Sequence, residues 1–467
     1  MDADRANTDV SPNPSCPGCL TAAQRIAELE TRIMLLEQKL EAASRAAKRQ
    51  AAPFSRGLPK LDPKKPGRKS GDDYGTQAFR AVPDRIDEIH DAPLPARCPR
   101  CGNNAFIDTH VEQQYQVEIP RRAIHRQFNV AVAQCTCCRR RVQGRHPLQT
   151  SDALGCCASQ VGARAQAAVV MLNKELGLSQ GKISRFFRGF FDIELTRGGS
   201  CQIMLRAAER CRDNYQAIVK RVQHSGWIVP DETGWRIGGW TAWLHAAVSE
   251  DAVAYLIARQ RGFEASASLI GEDYAGKLTH DGYASYDRFW RAIHQTCLAH
   301  LLRRCRELLE RATRGAVIFP RKVKALLQES LETRDLRDAR QMTVTVAKAK
   351  ADELDRRMKK LLEPVKTHPA NERLAKHLWK HRSQLFTFLR HEGIDATNFR
   401  AEQAIRPAVV NRKVWGGNRT ETGAAAQSIL MTVLFTAAKL KRDGMQFVSQ
   451  VLCSPQGHRP MLFQGTG

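Results

Sequence analysis

No stretch of this chain approaches the roughly 18 consecutive apolar residues that a helix needs to span a bilayer, so a helical membrane protein is not expected. The opening residues MDADRANTDVSPNPS have neither the basic start nor the apolar core of a secretory signal, so secretion is not expected either. Negative charge is also scarce. Only 48 acidic residues face 73 Lys and Arg, which leaves a net charge of +25 on 467 residues. A chain of this length and 42% hydrophobic content has room for two to four folded domains.

Residues 1–50 are balanced, with seven basic and seven acidic side chains, so the surplus lies downstream. It gathers in PKKPGRKS (Lys64, Lys65, Arg68, Lys69), in CRRRVQGRH (Arg139, Arg140, Arg141, Arg145) and in LLRRCRELLERATRG (Arg303 to Arg314). Any one such run reads as a solvated face. Several together on a chain of this charge fit a polyanionic partner, most simply nucleic acid.

Seven of the 14 cysteines stand in three short clusters, which in a reducing cytosol points to metal binding rather than disulfides. Cys98-Pro-Arg-Cys101 and Cys135-Thr-Cys137-Cys138 form two knuckles, each offering two sulfurs to one ion. Cys98, Cys101, Cys135 and Cys138 are therefore the candidate ligands of a structural zinc, with Cys137 as a substitute. The alternating runs QYQVEIP and HRQFNVAVAQ between them predict a zinc-ribbon-like hairpin. Cys16-Pro-Gly-Cys19 has no second pair nearby. It precedes heptads at Ile26, Leu29, Ile33, Leu36, Leu40 and Ala43, which read either as a parallel dimeric coiled coil or as an amphipathic helix packed on its own chain. A parallel dimer would bring two Cys16/Cys19 pairs together and complete a four-thiolate site.

The expected organisation follows. Residues 1–45 carry the cysteine pair and coiled coil, 46–85 a basic Pro/Gly-rich linker, and 86–150 the zinc segment. Over residues 151–220, ARAQAAVVMLNKELG and QGKISRFFRGFF predict two helices joined at Leu178-Ser179. That spacing suits a plain hairpin or a helix-turn-helix with Lys182, Arg185 and Arg188 in a major groove. Residues 221–440 read as an α/β domain: three apolar runs as an antiparallel meander, a helix, a further strand, then a helical insertion at about 305–395. Pro230 lacks an N–H and predicts a bulge or strand end, Pro407 is expected to close the last helix of that region, and 441–467 read as a C-terminal tail.

Three acids in this domain stand in unusual settings: Asp231 in GWIVPDETGW, Asp281 in KLTHDGYASY and Glu402 in TNFRAEQAIRP. Carboxylates gathered at a core edge are costly unless a cation joins them, and two divalent ions held by such oxygens suit phosphodiester chemistry. Singly, each acid reads as a surface or capping residue, and Glu402 has Arg406 at i+4 to pair with.

DETGW, DGYASY, CLAH and TNFRAEQAIRPAVVNRKVWGG resemble the DDE transposases of the bacterial insertion sequence 66 family. The resemblance implies an RNase H-like core with Asp231 on its first strand, Asp281 just after its fourth and Glu402 on a late helix. It implies a catalytic Asp-Asp-Glu triad holding two Mg²⁺ (or Mn²⁺) ions for strand cleavage and strand transfer. It implies terminal inverted repeats and target DNA as partners, a homodimer or higher oligomer, small accessory proteins and a cytoplasmic, nucleoid-associated location. Phosphate contacts are expected from Arg139, Arg140, Arg406 and Lys413. One motif differs: the family has paired Asn before Ala-Glu, where this chain has Asn398-Phe399. Asn398 is four residues before Glu402 and is expected to orient it. Cys297 and His300 match a Cys-x-x-His signature, as a metal pair or as structural support. Two other functions fit the same residues: a zinc-containing DNA-binding regulator with an inactive core, and a metal-dependent nuclease without joining activity.

Overall fold

The computed structural model describes residues 24–36, 83–104, 111–116, 119, 123–153, 161–311, 314–455 and 457–463. The chain divides into two units, residues 1–117 and 118–467. In the first, residues 24–36 form helix α1, on which Ile26, Leu29, Ile33 and Leu36 are all exposed. The later heptad positions, Cys16, Cys19 and the linker through residue 82 lie outside the described residues. Residues 98–103 make a tight turn in which Cys98 donates to the Asn103 carbonyl at 2.7 Å and Gly102 to the Cys98 carbonyl at 2.8 Å.

The second unit begins with a small hairpin, β1 (Val132–Gln134) and β2 (Arg141–Gln143). The strand expected over HRQFNVAVAQ is shorter than its alternating pattern, and QYQVEIP lies partly outside the described residues. Residues 114–116 have no regular structure, and only VAQ of the second run is a strand. Its partner lies beyond Cys138, so the hairpin brackets one cysteine turn. The turn's own bonds, Cys135 N–H to the Arg140 carbonyl at 2.9 Å and Arg139 N–H to the Cys135 carbonyl at 3.0 Å, close the two arms together.

Four helices follow: α2 (Ala163–Lys174), α3 (Gln180–Phe191), α4 (Arg197–Arg210) and α5 (Arg212–Gln223). Next come β3 (Trp227–Ile237), β4 (Trp240–Val248), β5 (Val253–Ala258), α6 (Phe263–Ile270), β6 (Lys277–His280) and β7 (Ile293–Thr296). The described residues form one five-stranded sheet in the order β5-β4-β3-β6-β7, with β3, β4 and β5 antiparallel and with β6 and β7 parallel to β3. The expected meander is present. The remaining helices are α7 (Leu298–Arg311), α8 (Ile318–Asp338), α9 (Val344–Leu362), α10 (Pro369–Lys380), α11 (Thr387–Arg390), α12 (Phe399–Trp415), α13 (Glu421–Lys439) and α14 (Gly444–Cys453).

Three buried clusters hold this unit together. Val170, Ile203, Ala207 and Ile218 of α2, α4 and α5 share one core with Ile228 and Ala247 of the sheet and with Leu430, Val448 and Val451 of α13 and α14. The segments read as a separate helical domain and as a C-terminal tail thus share one core with the sheet: α5 and α13 lie against β5, and α2, α4 and α14 pack on α13 and on one another. A second core, with Leu301, Leu327, Leu354, Met358, Phe386 and Phe388, joins α7 to the helical insertion, α8 through α11. The third joins Val229, Trp235 and Ile237 of β3 to Ala401, Ile405 and Ala408 of α12, whose small side chains admit the helix close to the strand.

Two proline expectations change. Pro230 makes no bulge, since β3 pairs with β4 without interruption from Val229↔Val248 to Ile237↔Trp240. What stops is the ladder to β6, whose last pair is Ile228↔Leu278, so the missing N–H falls where that partner has ended. Pro407 does not close α12, which continues to Trp415. Proline removes the donor to the Gln403 carbonyl, and Gln403 is an exposed residue where water can replace it. Beside it the Ala404 carbonyl accepts the Tyr255 hydroxyl at 2.8 Å.

β5 is a sheet edge, and α13 covers it with hydroxyls one turn apart. Ser428, Thr432 and Thr436 accept from the N–H groups of Ile257, Tyr255 and Val253 at 3.0, 2.9 and 3.1 Å. An open edge would invite pairing with another chain. Replacing Thr432 by Val keeps the shape but strands a buried donor. The expected cost is about 1–3 kcal/mol of unfolding free energy, read by denaturant titration against wild type.

Candidate active site

Strand alternation decides which way the first acid points. Val229, Asp231, Thr233, Trp235 and Ile237 share one face of β3, and Val229, Trp235 and Ile237 on that face pack against α12. Arg412 of α12 ties the same stretch of β3, donating to the Gly234 carbonyl. Asp231 therefore faces the helix that carries Glu402. Its Oδ1 accepts the Glu232 N–H at 3.0 Å.

Asp281 directly follows β6, in a turn that needs the positive φ of Gly282, +86°. Its Oδ1 accepts the Tyr283 N–H at 2.8 Å, a side-chain turn that fixes the carboxylate. Beneath the turn, His280 Nδ1 accepts the Gly282 N–H at 3.1 Å, so its proton sits on Nε2 and goes to His294 Nδ1 at 3.0 Å. His294 in turn donates from Nε2 to the Phe289 carbonyl at 2.9 Å. Burial holds His280 well below the usual imidazole range, as this neutral relay requires.

Glu402 lies in the first turn of α12, with Asn398 at the N-cap. Among the described residues its basic neighbour is His300 of α7, with Nε2 3.7 Å from Oε1, and not Arg406. Asn398 does not orient the carboxylate. Its side chain is fully buried and neither its Oδ1 nor its Nδ2 has a hydrogen-bond partner. Its main chain serves instead: the carbonyl accepts from Glu402 N–H at 3.1 Å, and its own N–H points at Cys297 Sγ, 3.3 Å away. Cys297 and His300 thus both stand against the Glu402 helix, one at its start and one beside the carboxylate.

The three acids interact. The Asp231 carboxyl is pushed up to about 8, first by burial, then by the charges of Glu232, Asp281 and Glu402, with the Glu232 N–H opposing. Among the described residues neither Asp231 nor Asp281 has a salt-bridge partner within 4.0 Å. Among those residues no three His, Cys, Asp or Glu side chains converge closely enough to hold one metal ion. The acids share a field rather than a single point. Sequence reasoning missed Glu232, which sits in the quoted DETGW, and Arg261 and Tyr286, which meet it only in the fold.

The other candidates lie apart. Lys182, Arg185 and Arg188 are exposed on α3, opposite the buried Ile183 and Phe187. Arg139 and Arg140 are exposed at the β1–β2 turn, whereas Arg145 of the same basic run is tied to Asp152 and to the Cys453 carbonyl. Arg406 and Lys413 are exposed on α12, on the stripe that begins at Glu402. In each cysteine turn backbone N–H groups lower the leading thiol: those of Cys101 and Arg100 at Cys98, and those of Cys138 and Cys137 at Cys135. No described helix is long and apolar enough to cross a membrane.

The family model described as "Transposase IS66 family" matches residues 158–426, more than half of the chain. A comparison with curated proteins returned no match.

Proposed function

The chain belongs to the IS66 transposase family, and from that premise we propose that it cuts and joins DNA at a site built on Asp231, Asp281 and Glu402. One observation carries the assignment of the site: three carboxylates from three separate elements lie close enough that the charges of Asp281 and Glu402 add to burial and to Glu232 in raising Asp231 to about 8. Hard oxygen donors, of which Asp231 and Asp281 have no salt-bridge partner among the described residues, fit divalent ions such as Mg²⁺ or Mn²⁺. Bound there, two such ions would supply the Lewis acidity that activates an attacking hydroxyl and steadies the leaving 3′ oxygen.

The chain's own groups prepare that chemistry. The Glu232 and Tyr283 N–H groups aim one oxygen each of Asp231 and Asp281. His300 stands beside Glu402, its imidazole lowered from the usual range by burial and then by Arg303. Asp231 must give up its proton before it can serve as a ligand. The sheet order, with three antiparallel strands and two parallel to the first, supports an RNase H-like reading. Arg406 and Lys413 continue the Glu402 stripe along α12 and suit the backbone of a DNA strand leaving the site. Lys182, Arg185 and Arg188 on α3 suit the terminal repeats, and Arg139 and Arg140 a flanking phosphate. Each cysteine turn is a two-thiolate zinc ligand with amide-stabilised sulfur. The exposed apolar stripe of α1 supports self-association through a coiled coil.

The test uses pre-cut transposon-end DNA, a supercoiled target and Mg²⁺, comparing wild type with Asp231→Ala. Joined product from wild type, lost in the variant while end binding survives, is expected. Cleavage without joining would mark a nuclease. End binding without cleavage or joining, even with the proteins encoded beside the gene added, would leave a DNA-binding regulator.

A further inference from the structure

Glu232 presents a puzzle that the catalytic reading leaves unanswered. It adjoins Asp231, its side chain is 2% exposed, and its charge is the second cause of the high Asp231 pKa. An uncharged residue there would be cheaper for the site. Yet both oxygens are engaged. Oε1 accepts from Arg261 Nε at 2.9 Å and Nη2 at 2.7 Å, and Oε2 accepts the Tyr286 hydroxyl at 2.5 Å. A glutamine cannot accept from a guanidinium and a phenol on two oxygens at once.

The partners explain what is gained. Strand alternation turns Glu232 to the face opposite Asp231, toward the segment that follows β6. Tyr286 is buried in the 3₁₀ turn Ala284–Arg288, five residues beyond Asp281. The Arg261 guanidinium lies over the Tyr283 ring at 3.9 Å and over Trp243 at 4.7 Å, and Tyr283 is the residue whose N–H holds Asp281. Arg261 is itself anchored, because the buried His245 donates to the carbonyl of Gln260 at 3.1 Å. One dipeptide on β3 thus carries Asp231 on one face and, on the other, grips both ends of the Asp281 turn.

We propose that Glu232, Arg261 and Tyr286 form a brace that sets the spacing of Asp231 and Asp281, acting as positioning residues for the ions of the proposed active site. The inference rests on that site's being a metal site. Burial and full pairing keep Glu232 itself out of the ligand set, and the brace works because a guanidinium and a carboxylate meet in a fixed fork.

The experiment measures Mn²⁺ binding by calorimetry on the full chain without DNA, using Asp231→Ala as the blank. Tyr286→Phe deletes one hydroxyl, and Arg261→Lys keeps the charge but loses the fork. Each is expected to weaken Mn²⁺ binding about tenfold. The metal concentration giving half-maximal joining should rise in parallel, with partial recovery in excess Mn²⁺. End-DNA binding should stay at the wild-type value, and the melting midpoint should fall by no more than the few degrees that one lost hydrogen bond to a buried carboxylate costs. Unchanged Mn²⁺ affinity in both folded variants would overturn the brace, as would a joint fall of melting midpoint and DNA binding, which marks a packing role. Wild type giving no more heat than the Asp231→Ala blank would instead overturn the metal site, and the brace with it.

Discussion

Asp231→Asn is expected to make the metal-free protein more stable at pH 8 while abolishing joining. The carboxyl titrates near 8 in the folded chain and near 4 when unfolded. Between these values the folded site holds a proton that the unfolded chain has released, so stability falls as pH rises through that window. One pKa unit is about 1.4 kcal/mol, so even half of the shift corresponds to roughly 3 kcal/mol at pH 8. Asparagine carries no such cost. Melting curves in Mg²⁺-free buffer from pH 5 to pH 8.5 should show wild type losing ground to the variant, with the gap closing below about pH 5. Added Mg²⁺ should restore wild type at pH 8 and leave the variant unmoved. Joining should drop on the order of 10²–10³-fold or more, as when a group that stabilises transition-state charge is removed. A variant less stable than wild type at pH 8 would mean that Asp231 carries no burial cost. Opposite signs for stability and activity are the mark of a functional residue, and no packing residue would show them.

Gly417→Ala is expected to be among the most damaging single-methyl additions in the second unit. Gly417 has φ +127°, and a Cβ there would sit 2.5 Å from the Arg236 carbonyl oxygen. That approach is required. Directly after α12 the chain runs beside the end of β3, where Asn418 N–H donates to the Arg236 carbonyl at 2.9 Å and Gly238 N–H to the Asn418 carbonyl at 2.8 Å. The Asn418 side chain accepts from Trp235 Nε1 at 2.7 Å. A methyl group at Gly417 must break this clasp or strain both strands, at about 2–5 kcal/mol. Because the clasp fixes the C-terminal end of the helix that carries Glu402, joining should fall more steeply than stability. Thermal melting and the joining assay on the same preparation check this. Gly416→Ala, at φ +85° with nothing within 4 Å of its Cβ, is the milder control.

How much of this was legible beforehand differs from element to element. The apolar runs from Trp227 to Ala258 announced three strands, because a half-buried sheet imposes its pattern locally. The helices around Leu178-Ser179 and the insertion were legible for the same reason. Pro230 and Pro407 misled, since whether a missing N–H matters depends on what lies opposite it, and that is a neighbour distant in sequence. The hairpin around Cys135 and Cys138 was misplaced because strands this short take their pairing from the turn, not from alternation. The segment 441–467 reads as a tail by sequence although Phe447, Val448, Val451 and Leu452 are buried, since a lone amphipathic turn does not say which face will receive it.

The acids divide along the same line. Asp231, Asp281 and Glu402 stood out as residue types in apolar or motif-bearing settings, and composition alone indicated a polyanionic partner. Their mutual field, the turn of Glu402 toward His300 rather than Arg406, and the engagement of Glu232 by Arg261 and Tyr286 came from the tertiary structure. Local sequence determines periodicity, turn chemistry and charge because these act over a few residues. Distances between carboxylates on β3, after β6 and on α12 are set by packing across the whole second unit, which only the folded chain decides.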